Sequence, residues 1–285
     1  MPSSTSATDA AARETAGPLA AFRRTWRLAV MTVWTPIIVG WEAVRALFFR
    51  GDRKILIDRA KHAWAIVSRH VLAVRAELVR GQRPVRKTAR ARLIVSNHRT
   101  PLDVVSLMDL YDAHFLANHK TRTAPVVGIA AIRMGTIFVD RDDRQSGVAA
   151  IRAMRRALGA GESIIIFPEG TTYRGDEVRP FKGGAFLAAK GLDVDVVPIG
   201  MAYVPNTEFE GGTLGAHARS FLSRPVNRVW IAIGDAMPLP TGPDVDEIIR
   251  SQVQALVHEA RAASRPMLTS EASAPAPTRE PREAP

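Results

Sequence analysis

The stretch Leu93-Ile94-Val95-Ser96-Asn97-His98-Arg99-Thr100-Pro101-Leu102-Asp103 sets an imidazole and a carboxylate five positions apart, directly after a short apolar run. About seventy residues on, Ile164-Ile165-Ile166 runs into Phe167-Pro168-Glu169-Gly170-Thr171. Each has the form of a strand emptying into a loop, where α/β proteins carry their chemistry. Further apolar runs predict strands over Arg92–Ser96, His114–Ala117, Thr136–Val139, Ser163–Phe167, Asp195–Gly200 and Arg228–Gly234. Between them, helical spacing predicts helices over Pro101–Tyr111, Ala124–Arg133, Arg144–Leu158, Gly184–Lys190 and Val245–Ala263. Strands separated by helical runs of this length make an α/β fold, a mixed and largely parallel sheet flanked by helices.

Outward from this core the chain changes character. Of its 285 residues, positions 1–96 hold 18 Lys/Arg against 6 Asp/Glu, while positions 97–285 hold 21 against 22. The excess of positive charge is therefore an N-terminal feature, suited to an anionic partner such as a membrane surface or to plain solvation. Leu28 to Trp41 contains no charged residue, is flanked by arginines on both sides, and follows or includes Trp26, Trp34 and Trp41. As a helix it is about 21 Å long, short of the roughly 30 Å of bilayer hydrocarbon. An interfacial or re-entrant membrane-associating element is the expectation, with a true span and a buried core helix as the alternatives. Arginines at both ends assign no orientation. Arg53 to Arg80 has helical apolar spacing and is expected as one helix. The domains expected are a disordered tail over 1–20, a basic and apolar helical membrane-associating region over 21–90, a catalytic domain over 91–263, and a proline-rich disordered tail over 264–285. The chain contains no cysteine, which removes thiolate nucleophiles, disulfides and thiolate-held zinc. No Gly-x-Ser-x-Gly elbow is present, so a serine hydrolase lacks its nucleophile.

Four short blocks occur in order: His98-x4-Asp103, Gly135-Thr136-Ile137-Phe138-Val139-Asp140-Arg141, Phe167 to Thr171, and Val197-Pro198-Ile199. In this order and spacing they resemble the lysophospholipid acyltransferases of the 1-acylglycerol-3-phosphate acyltransferase family, over roughly residues 90–235. The resemblance implies transfer of a fatty acyl group from an acyl thioester, acyl-CoA or acyl carrier protein, to the free hydroxyl of a lysophospholipid. Its leading acceptor is 1-acylglycerol 3-phosphate, which gives phosphatidic acid. No further cofactor and no metal are expected. A membrane-associated location at the cytoplasmic face of the cell membrane goes with that activity.

An alkanol is a poor nucleophile at neutral pH, so acyl transfer to it needs a base. Histidine suits the task, and a carboxylate on its far nitrogen holds the tautomer and steadies the imidazolium. On one continuous helix five positions set side chains about 140° apart, too far to pair. With Thr100 as N-cap and Pro101 as first helical residue, His98 stays in the loop and Asp103 enters the first turn, facing back toward the imidazole. Asp103 also fits a second role, closing a capping box on Thr100. His119 lacks a carboxylate at +5, and His62, His70, His114, His217 and His258 show no such pairing in sequence. One His and one Asp do not make a metal site. The absence of cysteine and serine nucleophiles points to direct attack by the acceptor hydroxyl, with no acyl-enzyme.

Gly170-Thr171-Thr172 after an apolar strand offers backbone N–H groups to an anion. The resemblance implies that Arg141, Glu169 and Gly170 bind the acceptor's glycerol phosphate and that Pro198 serves acyl-chain binding or packing. Arg174 and Lys182, in adjoining loop sequence, are added as charge-assisted partners. Thr172 and Tyr173 stand where relatives often carry Arg or Ser, which keeps a non-phosphate acceptor, such as a lyso-aminolipid, in play. The rival classes are a non-catalytic membrane-bound lipid-binding protein and, with no motif to support it, a nucleic-acid-binding module.

Overall fold

The structure is a computed structural model that describes residues 15–48, 51, 53–86, 88–124, 127–205, 207–209 and 214–273. Most of the two expected tails, 1–14 and 274–285, lies outside these residues. Two helices lead the chain, α1 (Pro18–Phe48) and α2 (Arg53–Val71). Then follow β1 (Val74–Arg80), β2 (Ala91–Ser96), α3 (Leu102–Leu110), β3 (Ala113–Asn118), a 3-10 turn at His119–Thr123, α4 (Val127–Arg133) and β4 (Ile137–Val139). The second half runs α5 (Arg144–Gly159), β5 (Ser163–Ile166), α6 (Gly184–Ala189), β6 (Val194–Tyr203), α7 (Leu214–Ser223), β7 (Asn227–Ile233), β8 (Met237–Pro238) and α8 (Val245–Ser273).

The strands form one sheet in the order β1-β7-β6-β2-β5-β3-β4, with β8 beside β6. Pairings are parallel except β6 with β7 and β6 with β8. The sheet is thus mixed and largely parallel, as its strand–helix alternation predicts. β2 and β5 sit at its centre, and Leu93, Ile94, Val95, Ile164, Ile165 and Ile166 are all fully buried. Strands covered on both faces need apolar residues on both, which is why these two are unbroken runs rather than alternations. On one face Ile94, Ile165, Ile199 and Met201 pack with residues of α2, α3, α4 and α7. On the other, Leu93, Val95, Ile164 and Ile166 pack with α5, α6 and α8. The α8 layer lies close: a Cβ on Gly200 would come within 2.2 Å of the Leu256 and Val257 backbone, so only glycine fits there.

Several expectations change. The helix foreseen over Arg53–Arg80 stops at Val71, and Val74–Arg80 is a strand that pairs parallel with β7 from Asn227 onward. Ala73, in the left-handed region at φ 49°, makes the turn between them. The apolar spacing of Val74, Ala76 and Leu78 fits a strand as well as a helix, and only pairing to β7 decides between them. The sheet therefore begins before residue 91, the expected start of the catalytic domain. Strand β6 runs on to Tyr203, and α8 runs ten residues beyond Ala263, to Ser273. Helix α7 and the two-residue β8 were not foreseen; α7 is short and β8 has no signal of its own.

Helix α1 is long and apolar enough to cross a membrane. It is also docked. Arg27 is buried and donates to the carbonyls of Leu222, Arg224 and Pro225 at 3.0, 2.5 and 3.2 Å, and Arg23 Nε donates to Ser223 O at 2.8 Å. Those carbonyls end α7, where a helix exposes unpaired acceptors and the negative end of its dipole. Farther along, Trp64 Nε1 donates to Thr35 Oγ1 at 3.1 Å.

Candidate active site

Parallel strands β2, β5, β3 and β4 all end on the same edge of the sheet, so the loops after them share one surface. The loop after β2 carries His98. Its first residue, Asn97, continues the ladder with its side chain: Nδ2 donates to Met201 O at 2.9 Å and Oδ1 accepts from Met201 N at 2.8 Å. This fixes where the chain leaves the sheet and hence where the imidazole stands.

His98 Nδ1 lies 2.7 Å from Asp103 Oδ2, so the two predicted residues meet across the turn. The same Oδ2 accepts the Arg99 and Thr100 backbone N–H groups at 2.7 and 3.1 Å, and Oδ1 accepts the Tyr203 hydroxyl at 2.5 Å. Asp103 is fully buried and wholly satisfied. It meets both groups that the sequence readings gave it, the Thr100 backbone N–H and the imidazole. Thr100 departs from its expected cap role, because Oγ1 lies 3.5 Å from Leu102 N and 2.9 Å from His217 Nε2. With Nδ1 engaged, Nε2 is the nitrogen of His98 left for a reacting group, on a side chain 21% exposed. Phe167 stacks on the ring, with centroids 4.2 Å apart and planes 14° from parallel.

Glu169 sits under this loop rather than in the opening. Its Oε1 accepts His98 N at 2.7 Å and Arg99 Nη1 at 2.9 Å, and Oε2 accepts Arg179 N at 2.9 Å. It is buried, and its partner is Arg99, not Arg141. Arg99 is itself 1% exposed and reaches the carbonyls of His98, Gly175 and Glu177. The pair ties the β2 and β5 loops together. Glu169, itself an anion, thus answers a buried guanidinium. Arg99 had no signal in sequence beyond its place inside the His–Asp stretch, and Tyr203 and His217 had none, since they meet their partners across 100 and 117 positions.

The remaining predicted residues divide. Gly170 takes φ +87°, and its N–H is used in the turn, donating to Phe167 O at 3.0 Å. The N–H groups of Thr171 and Thr172 have no acceptor among the described residues. Lys182 lies over Gly170, its Nζ 3.1 Å from where a Cβ would stand, and its ammonium has no ion-pair partner among the described residues. Arg141 follows β4 at the same edge, exposed and without a hydrogen bond or ion pair among the described residues, though loss of water around it lowers its pKa. It is three strands from β2, about 14 Å of sheet at the usual strand spacing. Arg174 lies exposed in the loop after β5. Pro198 is not brought to His98. Its neighbour Gly200 faces α8, and Pro198 with Gly234 and Leu256 lines a cavity of about 340 Å³ on that side, opposite the imidazole.

Two histidines that sequence spacing left unpaired do meet carboxylates: His114 Nε2 is 3.0 Å from Glu162, and His119 Nδ1 is 3.4 Å from Asp140. Their partners come from neighbouring strand ends, which a count along the chain does not see. His98 differs from both in that its carboxylate is fully buried.

The site is thus an imidazole held by a buried carboxylate at the mouth of an α/β sheet. Residues 78–202 match the family model described as Acyltransferase. Over these residues the chain is similar to that family. A lyso-ornithine lipid O-acyltransferase of Brucella abortus is 34% identical over 140 residues, 47% of this chain and 51% of that one. A 1-acyl-sn-glycerol-3-phosphate acyltransferase of Neisseria gonorrhoeae is 28% identical over 125 residues, 44% of this chain and 49% of its own. The chain spans about half the length of the curated relatives it matches. In fold, the chain is similar to the 1-acyl-sn-glycerophosphate acyltransferase PlsC of Thermotoga maritima. The TM-score is 0.62 at 18% identity, over 84% of this chain and 98% of that one.

Proposed function

We propose that this protein transfers a fatty acyl group from an acyl thioester, acyl-CoA or acyl carrier protein, to the free hydroxyl of a lysolipid. The observation that carries this is the His98 Nδ1–Asp103 pair at 2.7 Å with Nε2 left open. His98 Nε2 takes the acceptor hydroxyl's proton as its oxygen attacks the thioester carbonyl. The tetrahedral intermediate then expels the thiolate, the C–S bond breaks, and the imidazolium returns the proton to sulfur. Asp103 steadies the imidazolium between the two steps. No covalent enzyme intermediate is needed.

The acceptor is an anionic lysolipid. The Thr171 and Thr172 N–H groups, Lys182 and Arg141 offer donors to its headgroup at the same sheet edge, which suits the phosphate of 1-acylglycerol 3-phosphate. A second acceptor class, a lyso-aminolipid, is favoured by the name of the Brucella relative. The protein works at a membrane, on its cytoplasmic face, where acyl thioesters are made. Trp26, Trp41, Leu47 and Phe48 of α1, with Ile129 and Ile132 of α4, expose apolar surface beside the domain. Because Arg23 and Arg27 anchor α1 to α7, the helix lies along the domain and enters the interface sideways instead of leaving to span.

Thiol release from an acyl thioester, measured in lipid with 1-acylglycerol 3-phosphate, a lyso-ornithine lipid and a neutral lysolipid, tests this directly. Release should depend on one anionic or zwitterionic acceptor and vanish in His98→Ala. Folded protein that binds lipid yet shows no acceptor-dependent release belongs instead to the non-catalytic lipid-binding class.

A further inference from the structure

The carboxylate behind His98 has a fourth donor for which the mechanism above has no use. Tyr203, the last residue of β6, is 2% exposed, and its hydroxyl donates to Asp103 Oδ1 at 2.5 Å, across a hundred residues of sequence. Nothing about packing requires this: Phe would fill the same space, and Ile199 and Met201 on the same strand face are apolar. Building on the acyl-transfer reading, we propose that Tyr203 is a positioning residue that sets the base strength of His98 by limiting how strongly Asp103 holds the imidazole's proton.

The coupling is electrostatic. A carboxylate paired with an imidazole raises the imidazole's pKa, and it does so more the more negative charge is concentrated on its oxygens. A base pulled up too far is already protonated at working pH and cannot accept the hydroxyl's proton. Asp103 is fully buried, so solvent does not spread its charge; hydrogen-bond donors must. Arg99 and Thr100 supply backbone N–H groups to Oδ2, the oxygen shared with His98, and among the described residues Tyr203 alone serves Oδ1. Burial first, and then the adjacent Asp103 charge, push the Tyr203 hydroxyl well above its ordinary pKa. It therefore stays a donor at any pH the protein meets.

The charged and titratable neighbours do not take over this role. Arg99 is engaged by Glu169 and by carbonyls, and Arg179 gives Glu169 only its backbone N–H. From α7, the His217 ring meets Thr100 and not the carboxylate, and burial, aided by Arg224 and opposed by Asp103, keeps it neutral. Arg174 acts on His217 by charge. Glu208 acts on the Tyr203 hydroxyl by negative charge, and Arg261 of α8 binds the Tyr203 carbonyl at 2.5 Å while pairing with Asp176 and Glu208. On α3, Ser106 donates to Leu102 O at 2.9 Å and also bonds the Tyr203 hydroxyl, where it works against the rise in the phenol's pKa.

Two variants pull in opposite directions. Tyr203→Phe removes the donor, concentrates charge on Asp103 and should raise the His98 pKa by about one pH unit. The acid limb of kcat/KM moves up by the same amount. Placing 3-fluorotyrosine at position 203 makes the phenol a stronger donor and should move both down. The direct readout is the His98 imidazole titration by nitrogen NMR on resting protein, which needs no turnover. It therefore stays decisive if the protein proves to bind lipid without acylating it. Opposite shifts in the two variants support the proposal. A titration unmoved in both, with any change confined to melting temperature, overturns it and leaves Tyr203 a packing residue. Should Tyr203→Phe fail to fold, the fluorotyrosine protein alone decides: a downward shift supports the proposal and no shift overturns it.

Discussion

At the scale of single residues, Asp103 serves two masters. Its Oδ2 closes the turn through two backbone N–H groups and also holds His98 Nδ1. Asp103→Asn should therefore lower both melting temperature and kcat, the latter about 100-fold or more, since an amide cannot steady the imidazolium. Circular dichroism melts beside steady-state assays separate the two effects. A loss of stability with kcat intact would reduce Asp103 to a turn residue. His217 makes a pH prediction of its own. Burial first, then the Arg224 charge, bring its pKa down to about 4, against the usual histidine value near 6.5. The unfolded chain thus binds this proton at a pH where the folded protein does not. Stability should fall as pH drops from 6.5 toward 4, by about 3 kcal/mol in all, and level off below. His217→Gln should remove that share of the slope. Urea midpoints of both proteins at pH 7 and pH 4.5 check it, and parallel pH dependences would place the cost elsewhere.

Among elements, the joint between α1 and α7 carries the most consequence. Four carbonyls at the end of α7, from Leu222, Ser223, Arg224 and Pro225, are satisfied by two side chains of α1, and Asn227 Nδ2 takes Phe221 O at 2.9 Å. The charge also lies against the negative end of the α7 dipole. Arg27→Met keeps most of the packing volume but leaves the Leu222, Arg224 and Pro225 carbonyls without this donor, at a cost of about 2–3 kcal/mol. Helix α1 should then be cut from the domain by trypsin at enzyme levels that leave the native protein whole. Equal resistance would mean that the Thr35–Trp64 contact and the packing on α2 hold α1 unaided.

Over the whole molecule, the sheet separates two environments. Helices α2, α3, α4 and α7, with α1 outside them, cover one face, and α5, α6 and α8 cover the other. The exposed apolar side chains of α1 and α4 thus all lie to one side, and that side should meet lipid. On anionic liposomes Trp26 and Trp41, 48% and 62% exposed, should become shielded from aqueous quenchers, while the half-buried Trp34 changes less. Deleting residues 21–50 should release the protein from those liposomes. Basic residues near the surface add about 1 kcal/mol each, weakening with salt. Binding that survives the deletion, or unchanged quenching of Trp26 and Trp41, would move the lipid-facing side away from α1.

Where short-range pattern carries the physics, the sequence alone determined the outcome. The doubly buried strands β2 and β5 have to be unbroken apolar runs, and Thr100-Pro101 has to turn the chain so that His98 and Asp103 face each other; both are legible within a dozen residues. The α/β class, the largely parallel sheet and the central pair follow from that. Contacts made over long separations were decided only by the tertiary structure. Val74–Arg80 is a strand because β7, about 150 residues away, offers an open edge. Glu169 is a structural anion because Arg99 is buried against it, and Pro198 faces α8 because strand parity sends it there. The carboxylate's last donor, Tyr203, arrives from the far end of β6. A residue's type and spacing state what it can bond, while burial and the neighbours that the sheet brings up state what it does bond; those neighbours are set by strand order, which no local pattern contains.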